Sequence, residues 1–445
     1  MTTNILPAQK TVSTPRWLFI TLCSLFCGLY FVRDILGVYI NYYIIYVVAA
    51  IILLSVTKEE AICFFIAISS FTDAGFNGTF CVMLFMCLLL RFIDSIKNVR
   101  VYTLLLIVMC LYECLHYFMS STIEIGALVT YVMVLGSLFI VQQYPHNKIN
   151  KALIVNTFII FSLFFILVTI ISMMISFGSL EALIQSGFRT DEYNEFREEG
   201  RLSANQNYLT QICSVNICLC TLMISKKYRK LPYILAIVVF IICGLLTISK
   251  MFMVVAIVYS LYVIFIALKG NVLRGLGITA LVLISGVIIY YFFGDTLLQM
   301  VAKRFESEDL TTGRVRIIEN LLEYMQLNPH SYVFGIGIQE VHVVLGEAIH
   351  SSFFEILGGW GVTGFIVVAA YIISLVKHAR KNMRIEGCKI NGYGYLPLFM
   401  LLGYTIIGML FGLPFSVVQI MLCIYAMQVK EKNYNDVVQH NNADI

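Results

Sequence analysis

The sequence predicts an all-α, polytopic integral membrane protein, and three observations carry that expectation. Of 445 residues, 60% are hydrophobic and only 13% are charged. With a mean hydropathy of +0.87, the chain is too apolar for the surface of a soluble domain. Long apolar runs recur from Trp17 to the last forty residues, and helices are the elements that satisfy their own backbone in lipid. The runs are continuous, whereas the strands of a transmembrane barrel would alternate over about ten residues.

Taken in order, the runs give about fourteen spans: 17–32, 38–56, 61–72, 79–92, 101–117, 123–141, 152–176, 207–225, 232–248, 251–268, 275–293, 351–376, 394–411 and 415–428. A span needs about 20 residues. The third and fourth runs are too short to cross alone; they are tilted, shortened, or a re-entrant hairpin around Phe71–Gly75, and twelve spans is the fallback. The first run follows a polar head without a small-residue cleavage site, so no cleavable signal peptide is expected. Of 13 cysteines, 12 lie in apolar runs and Cys388 lies in a basic loop. They read as small core residues, and no disulfide framework is expected. Residues 1–445 form one membrane domain, interrupted by a first outer loop at 177–206 and a second at 294–350, with a polar, disordered tail after Lys432.

Orientation follows from the basic residues. With both ends inside, 21 of the 30 Lys and Arg face the cytoplasm, including the 226–230 cluster. That is the expected bias, and it puts both large loops outside. Nothing points to nucleic acid as a partner.

The second loop is the hydrophilic stretch that organises the rest. It opens on Arg314 and Arg316 and continues as an amphipathic helix with Val315, Ile318, Leu322 and Met325 on one face. Gly335 and Gly337 follow, and His350 stands where the chain re-enters the membrane, with Ser351 and Ser352 behind it. A histidine at that boundary is either merely interfacial or a proton carrier at neutral pH. Glu355, five residues on within the same helix, is costly in a span unless it pairs or works. Gly358, Gly359, Gly361 and Gly364 allow a close backbone approach, in the manner of small-residue membrane interfaces.

In the first loop, Arg189, Arg197 and Arg201 alternate with acids. Glu192 lies three residues after Arg189 and fits a helical ion pair. Arg197 has no acid at that spacing. Arg201 adjoins the next span, where a guanidinium can meet a phosphate with two hydrogen bonds. Lys250 lies in an almost wholly apolar turn, so it either snorkels or meets an anion. Arg201, Lys250, Arg314 and Arg316 together would make a basic cluster at headgroup depth, suited to a diphosphate. No metal-ligand spacing and no cofactor motif appears.

These residues resemble the O-antigen polymerase and O-antigen ligase (Wzy and WaaL) superfamily. AIHSSFFEILGGWGVTGF is similar to the family's His signature with its following acid and glycine-rich turn. LTTGRVRI followed by VFGIGI resembles its Gly-Arg and Gly-x-Gly elements. GRLSANQNYLTQ, with Asn205 and Asn207, resembles its first-loop element, with Gln206 where proline is common. LTISKMFM resembles its Thr-x-Ser-Arg element with Lys250 in place of Arg, which keeps the charge and loses the bidentate fork. The resemblance covers about residues 195–370.

The resemblance implies a metal-independent glycosyltransferase of the integral-membrane GT-C type in the bacterial inner membrane, needing no cofactor. Its donor and acceptor would be glycans on undecaprenyl diphosphate, with membrane lipids and a chain-length regulator protein as further partners. Arg201, Lys250 and Arg314, with Arg316 beside them, would hold the donor diphosphate. His350 would take the acceptor proton, and Arg197, Asn205, Asn207 and Glu355 would support the site. A polymerase building O-antigen or capsule is the first reading and a ligase to lipid A–core the second. A transporter or flippase would need ionisable groups along a central cavity in several spans, and a channel would need a filter.

Overall fold

The computed structural model describes residues 16–74, 78–119, 125–145, 149–180, 182–183, 202, 206–225, 230–247, 249–270, 314–346, 349, 351–385 and 424, with scattered helical residues between 272 and 294. The described residues are helical and contain no strand. The helices are α1 (Arg16–Asp34), α2 (Tyr42–Ser55), α3 (Lys58–Ile68), α4 (Gly78–Phe92), α5 (Leu104–Met119), α6 (Ile125–Gln143), α7 (Lys151–Phe177), α8 (Gln206–Ser225), α9 (Lys230–Leu246), α10 (Lys250–Gly270), α11 (Arg314–Leu327), α12 (His330–Phe334), α13 (Ile338–Leu345) and α14 (Ser352–Ile385).

Among the described residues, six stretches are long and apolar enough to cross a membrane: Arg16–Asp34, Gly78–Ile96, Val101–Met119, Ala152–Phe177, Asn207–Ile224 and Ser352–His378. Four shorter apolar helices join them, at Tyr42–Ser55, Leu128–Gln143, Leu231–Leu246 and Phe252–Tyr262. The last two expected spans lie outside the described residues. The fourth expected span proves long enough after all, because α4 runs on into the 3-10 turn at 93–98 and gives 19 apolar residues.

Side-chain contacts fix which helix ends lie together. At one end, the Leu202 N–H donates to Asp34 Oδ2 at 3.0 Å and the Tyr208 hydroxyl donates to the Ser69 carbonyl at 2.8 Å. At the opposite end, the Asn150 N–H donates to Glu59 Oε1 at 2.7 Å, the Tyr233 hydroxyl to Asn156 Oδ1 at 2.7 Å, and the Arg100 N–H to Gln143 Oε1 at 2.9 Å. The Arg91 guanidinium meets the Leu54 carbonyl there, and Tyr102 lies against His378. The helices therefore thread back and forth between two ends, as a polytopic chain must. Helix α3 runs from the Glu59 end to the Ser69 end, so it crosses the bundle and is not a re-entrant hairpin. It stays at 11 residues because it is sheathed by protein: Ala61–Ile68 are at most 1% exposed, so lipid thickness does not set its length.

Local chemistry explains where the helices begin. Thr57 and Glu60 form a reciprocal capping box on α3, and the Asn150 side chain accepts from Ala152 and Leu153 at 3.1 Å each on α7. Helix α7 ends on Gly178 in the left-handed conformation, φ 76°. The core is aromatic between α1, α3 and α7. Phe26, Phe64, Phe71 and Phe161 make edge-on contacts at 5.3–5.9 Å, each worth about 0.5–1.5 kcal/mol beyond area burial. Helix α8 is the most enclosed of the six, 89% buried. Exposed rows on α10, such as Val254, Ile257, Leu261 and Phe265, face outward as a lipid-contacting surface would.

Candidate active site

The second loop folds as one unit. Ile317, Leu321 and Met325 of α11 bury against Val341 and Ile349, with Ile318, Tyr332, Ile336, Leu345, Phe354 and Leu357 at the margin. This corrects the expected face of the amphipathic helix by about a quarter turn. The buried stripe is Ile317, Leu321, Met325 at spacings of four, while Val315 is 48% exposed. The stripe turns because α11 must meet both α13 and the start of α14; Leu321 packs where a side chain at Gly358 would stand.

The glycines of the loop and of α14 lock together. Gly361 has φ 63°, which breaks α14 internally and removes the helical partners of the carbonyls just before it. The loop supplies replacements: Ile336 N–H donates to Gly358 O at 3.0 Å and Gly337 N–H to Gly359 O at 2.6 Å. The Thr363 hydroxyl donates back to Val333 O at 2.8 Å. A Cβ on Gly335 would fall 2.3 Å from the Gly359 carbonyl carbon, and Gly335 itself has φ 72°. The close backbone approach expected of the glycine run therefore exists, but its partner is the Gly-Ile-Gly loop and not another span.

Helix α5 closes over this junction. The Tyr112 hydroxyl donates to Phe334 O at 2.9 Å, and His116 Nε2 lies 2.9 Å from the same oxygen. Glu113 Oε2 accepts the Trp360 indole N–H at 2.5 Å and the Ile338 N–H at 3.5 Å. Tyr131 of α6 packs edge-on against Trp360, 6.0 Å between centroids, and lies within electrostatic reach of both Glu113 and Glu355. The sequence reading passed over Tyr112, Glu113 and His116. The signal was present, since Glu113 is an acid inside an apolar run, the criterion that singled out Glu355.

The expected site residues fall as follows. Arg314 opens α11, and Arg316 is exposed on its first turn. Lys250 opens α10, at the end of the bundle that α9 reaches after starting beside Asn156. Asn207 is half-buried at the start of α8. Glu355 is fully buried on the first turn of α14, its N–H donating to Ser351 O at 2.8 Å. Arg197, Arg201, Asn205 and His350 lie outside the described residues. Two neighbours of these are fixed: Leu202 is buried and held by Asp34, and Ile349 is buried in the loop cluster. Leu202, the start of α10 and the α11–α14 unit thus share one end of the bundle.

A residue pair that sequence reasoning missed holds the first loop there. Arg33 Nε donates to Asp34 Oδ1 at 2.6 Å and Nη2 to Oδ2 at 3.2 Å, with Arg33 lying over the Tyr30 ring at 4.8 Å. Adjacent opposite charges carry no periodic signal, so nothing in the sequence marked them as a buried anchor. A separate open groove of about 590 Å³ runs between α2 and α4, lined by Tyr43, Tyr46, Ala50, Leu54 and Met83. It contains none of the expected site residues and is apolar, so it is a lipid-facing crevice and not the site of charge chemistry.

Residues 235–369 match the family described as O-antigen ligase. Across this stretch the chain is similar to the O-antigen polymerase and ligase superfamily. No curated protein matches the chain. The matched stretch contains the start of α10, the second loop and the glycine interlock. Helix α5 and the Arg33–Asp34 pair lie outside it. The superfamily covers ligases and polymerases, glycosyltransferase-type enzymes of the inner membrane.

Proposed function

We propose that the protein is a polysaccharide polymerase of the Wzy type, joining oligosaccharide repeat units carried on undecaprenyl diphosphate at the outer face of the inner membrane. The observation that carries this reading is the family match over a unit in which α11, the helix that opens on Arg314, packs through Ile317, Leu321 and Met325 in one cluster with Ile349, the residue before His350 in sequence. Arg201, Lys250, Arg314 and Arg316 bind the donor diphosphate. A glycosyl diphosphate already carries a good leaving group, so the protein must stabilise charge on that group and deprotonate the acceptor hydroxyl. His350 takes that proton. Arg197, Asn205, Asn207 and Glu355 support the site. Fixed cations next to lipid stabilise a leaving diphosphate more than they would in water, because the local dielectric is lower.

The ligase is the second reading, favoured by the match to a family described as O-antigen ligase. The glycans of a strain lacking the gene decide between them. Single repeat units on the lipid core mark a polymerase; full polymer left on undecaprenyl diphosphate marks a ligase. A strain whose glycans stay unflipped on the cytoplasmic leaflet would sink both and favour a flippase.

A further inference from the structure

We propose that Glu113 is a positioning residue for the candidate active site: its carboxylate ties the start of α13 to α14, the two helices between which His350 stands. The proposal rests on the reading of His350 given above.

Four observations converge on it. Glu113 is 2% exposed in a candidate membrane span, where an ionisable side chain is expensive and is kept for a reason. A single oxygen of that carboxylate takes two donors from two different helices, Ile338 N–H and Trp360 Nε1–H. Ile338 is the first residue of α13, whose cap position is Gly337 and offers no side chain. Glu113 therefore supplies from α5 the acceptor that a cap residue would normally supply in sequence. Finally, Tyr112 and His116 lie beside Glu113 on α5, and both reach the Phe334 carbonyl at the other side of the same turn. Three polar side chains of one span thus aim at one loop.

The geometry gives the coupling its direction. The stretch 346–351 spans from the end of α13 to the start of α14. The glycine interlock sets their spacing, since a Cβ on Gly359 would stand 2.6 Å from Ile338 Cγ1. The backbone bonds from Ile336 and Gly337 hold the turn before α13 against Gly358 and Gly359. The Glu113 carboxylate, bonded to Ile338 and Trp360, adds a second tie from α5. Loss of it loosens the two helices that flank His350 in the chain, and a misplacement of about 1 Å at a reacting group costs roughly 10²-fold in rate.

Trp360 reports on the contact directly. The chain has two tryptophans, and Trp17 is 64% exposed near the N-terminus, so Trp17→Phe leaves Trp360 as the sole tryptophan, excited selectively over the tyrosines at the red edge of absorption. In that background, purified full-length protein in lipid is compared with its Glu113→Gln and Trp360→Phe variants. Measured are Trp360 emission where present, melting temperature, and kcat and KM on a defined lipid-linked repeat unit, with and without a lipid A–core acceptor. The expected result for Glu113→Gln is a shifted emission maximum, a melting temperature within about 5 °C of the parent, a kcat lowered about 10²-fold and a KM changed less than about threefold. The double variant should lose less than the product of the single losses, as expected of contacting partners. Unchanged emission would overturn the proposal, and so would shifted emission with parental kcat. Should Glu113→Gln melt early, Trp360→Phe carries the kinetic arm, and a well-folded Trp360→Phe with parental kcat overturns it equally. A parent that forms neither polymer nor ligated product sinks the reading of function, whereas the emission arm needs no substrate and reports the contact regardless.

Discussion

The indole N–H of Trp360 donates to the Glu113 carboxylate at 2.5 Å across 247 positions of sequence. This bond joins a span outside the matched family stretch to the glycine-rich helix inside it. The family's glycines alone do not explain how the second loop is held on the bundle; α5 supplies polar side chains that complete the junction. The arrangement yields predictions that separate structure from chemistry.

The glycine interlock should discriminate sharply between positions. Gly335→Ala is expected to lower the yield of monodisperse protein and the melting temperature severely. Its Cβ would sit 2.3 Å from backbone atoms of Gly359, and its φ of 72° disfavours any side chain. Overpacking of this kind costs about 1–3 kcal/mol and left-handed strain about 1–2 kcal/mol more. Gly346 has a similar φ of 67° but open space around it, so Gly346→Ala should lose only the strain. Equal melting temperatures for the two variants would contradict the interlock.

Asp34 should matter more as an ion than as a shape. It partners the buried Arg33 and accepts the Leu202 N–H. Asp34→Ala leaves a buried guanidinium without its carboxylate, a change that typically costs about 3–5 kcal/mol. Arg33→Met together with Asp34→Leu removes both charges, and its melting temperature is expected to recover most of that loss. Because the double variant still lacks the acceptor for Leu202, its activity should stay low while its fold is restored. Full activity in the refolded double variant would show that the anchor on the first loop is dispensable.

The class of fold was legible because lipid dictates it. Continuous apolar runs admit one architecture, and the starts and stops of α1, α7 and α8, with the start of α14, fall within a few residues of the expected spans. The short α3 misled, since its length obeys the surrounding protein and not the bilayer. The face of α11 was misjudged because Val315 fits the helical period as well as Ile317 does, and only the position of Gly358 and Val341 decides between them. In the site, the motif residues could be named from their order along the chain. Glu113 was open to the criterion that singled out Glu355, an acid inside an apolar run. His116 and the Arg33–Asp34 pair were not, because the partners of His116 and Asp34 are 218 and 168 positions away and no local pattern records such distances.

Orientation has its own test. With both ends in the cytoplasm, an impermeant thiol reagent should leave Cys388 unlabelled in intact cells and label it after permeabilisation. Most other cysteines are buried or half-buried in the helices, so the background should be low. Labelling of Cys388 in intact cells would invert the assignment of the loops.

The basic cluster should behave as a phosphate clamp. Arg201→Ala and Arg314→Ala are each expected to lower polymer yield about ten- to a hundredfold with normal expression, because a hydrogen bond to a charged group is worth about 1.5–3 kcal/mol. Arg189→Ala should change little. Lys250→Arg should be tolerated, since the charge is kept and the guanidinium adds a second donor. Undiminished chain length and yield in both alanine variants would end the clamp.

His350 carries the sharpest prediction. The chain reaches it from Ile349, buried under α11, and leaves it through Ser351 into α14. A base at that boundary meets both a lipid-borne diphosphate and a sugar hydroxyl arriving from solvent. To accept a proton the imidazole must be neutral. Activity should therefore be full above the histidine's titration and fall as pH drops through it, ordinarily near 6.5. The neighbouring arginines oppose the imidazolium and favour the neutral form, so the falling limb should move to higher pH in Arg314→Ala. Loss of a general base costs on the order of 10²–10⁴ in rate. His350→Ala is accordingly expected to fold and to bind the lipid-linked donor while making almost no polymer, at any pH. The measurement uses purified protein in lipid, defined lipid-linked repeat units and added EDTA. Near-parental polymerisation by His350→Ala would remove it as the base. Abolition of the parent's activity by EDTA, restored by a divalent cation, would replace the cationic clamp with a metal.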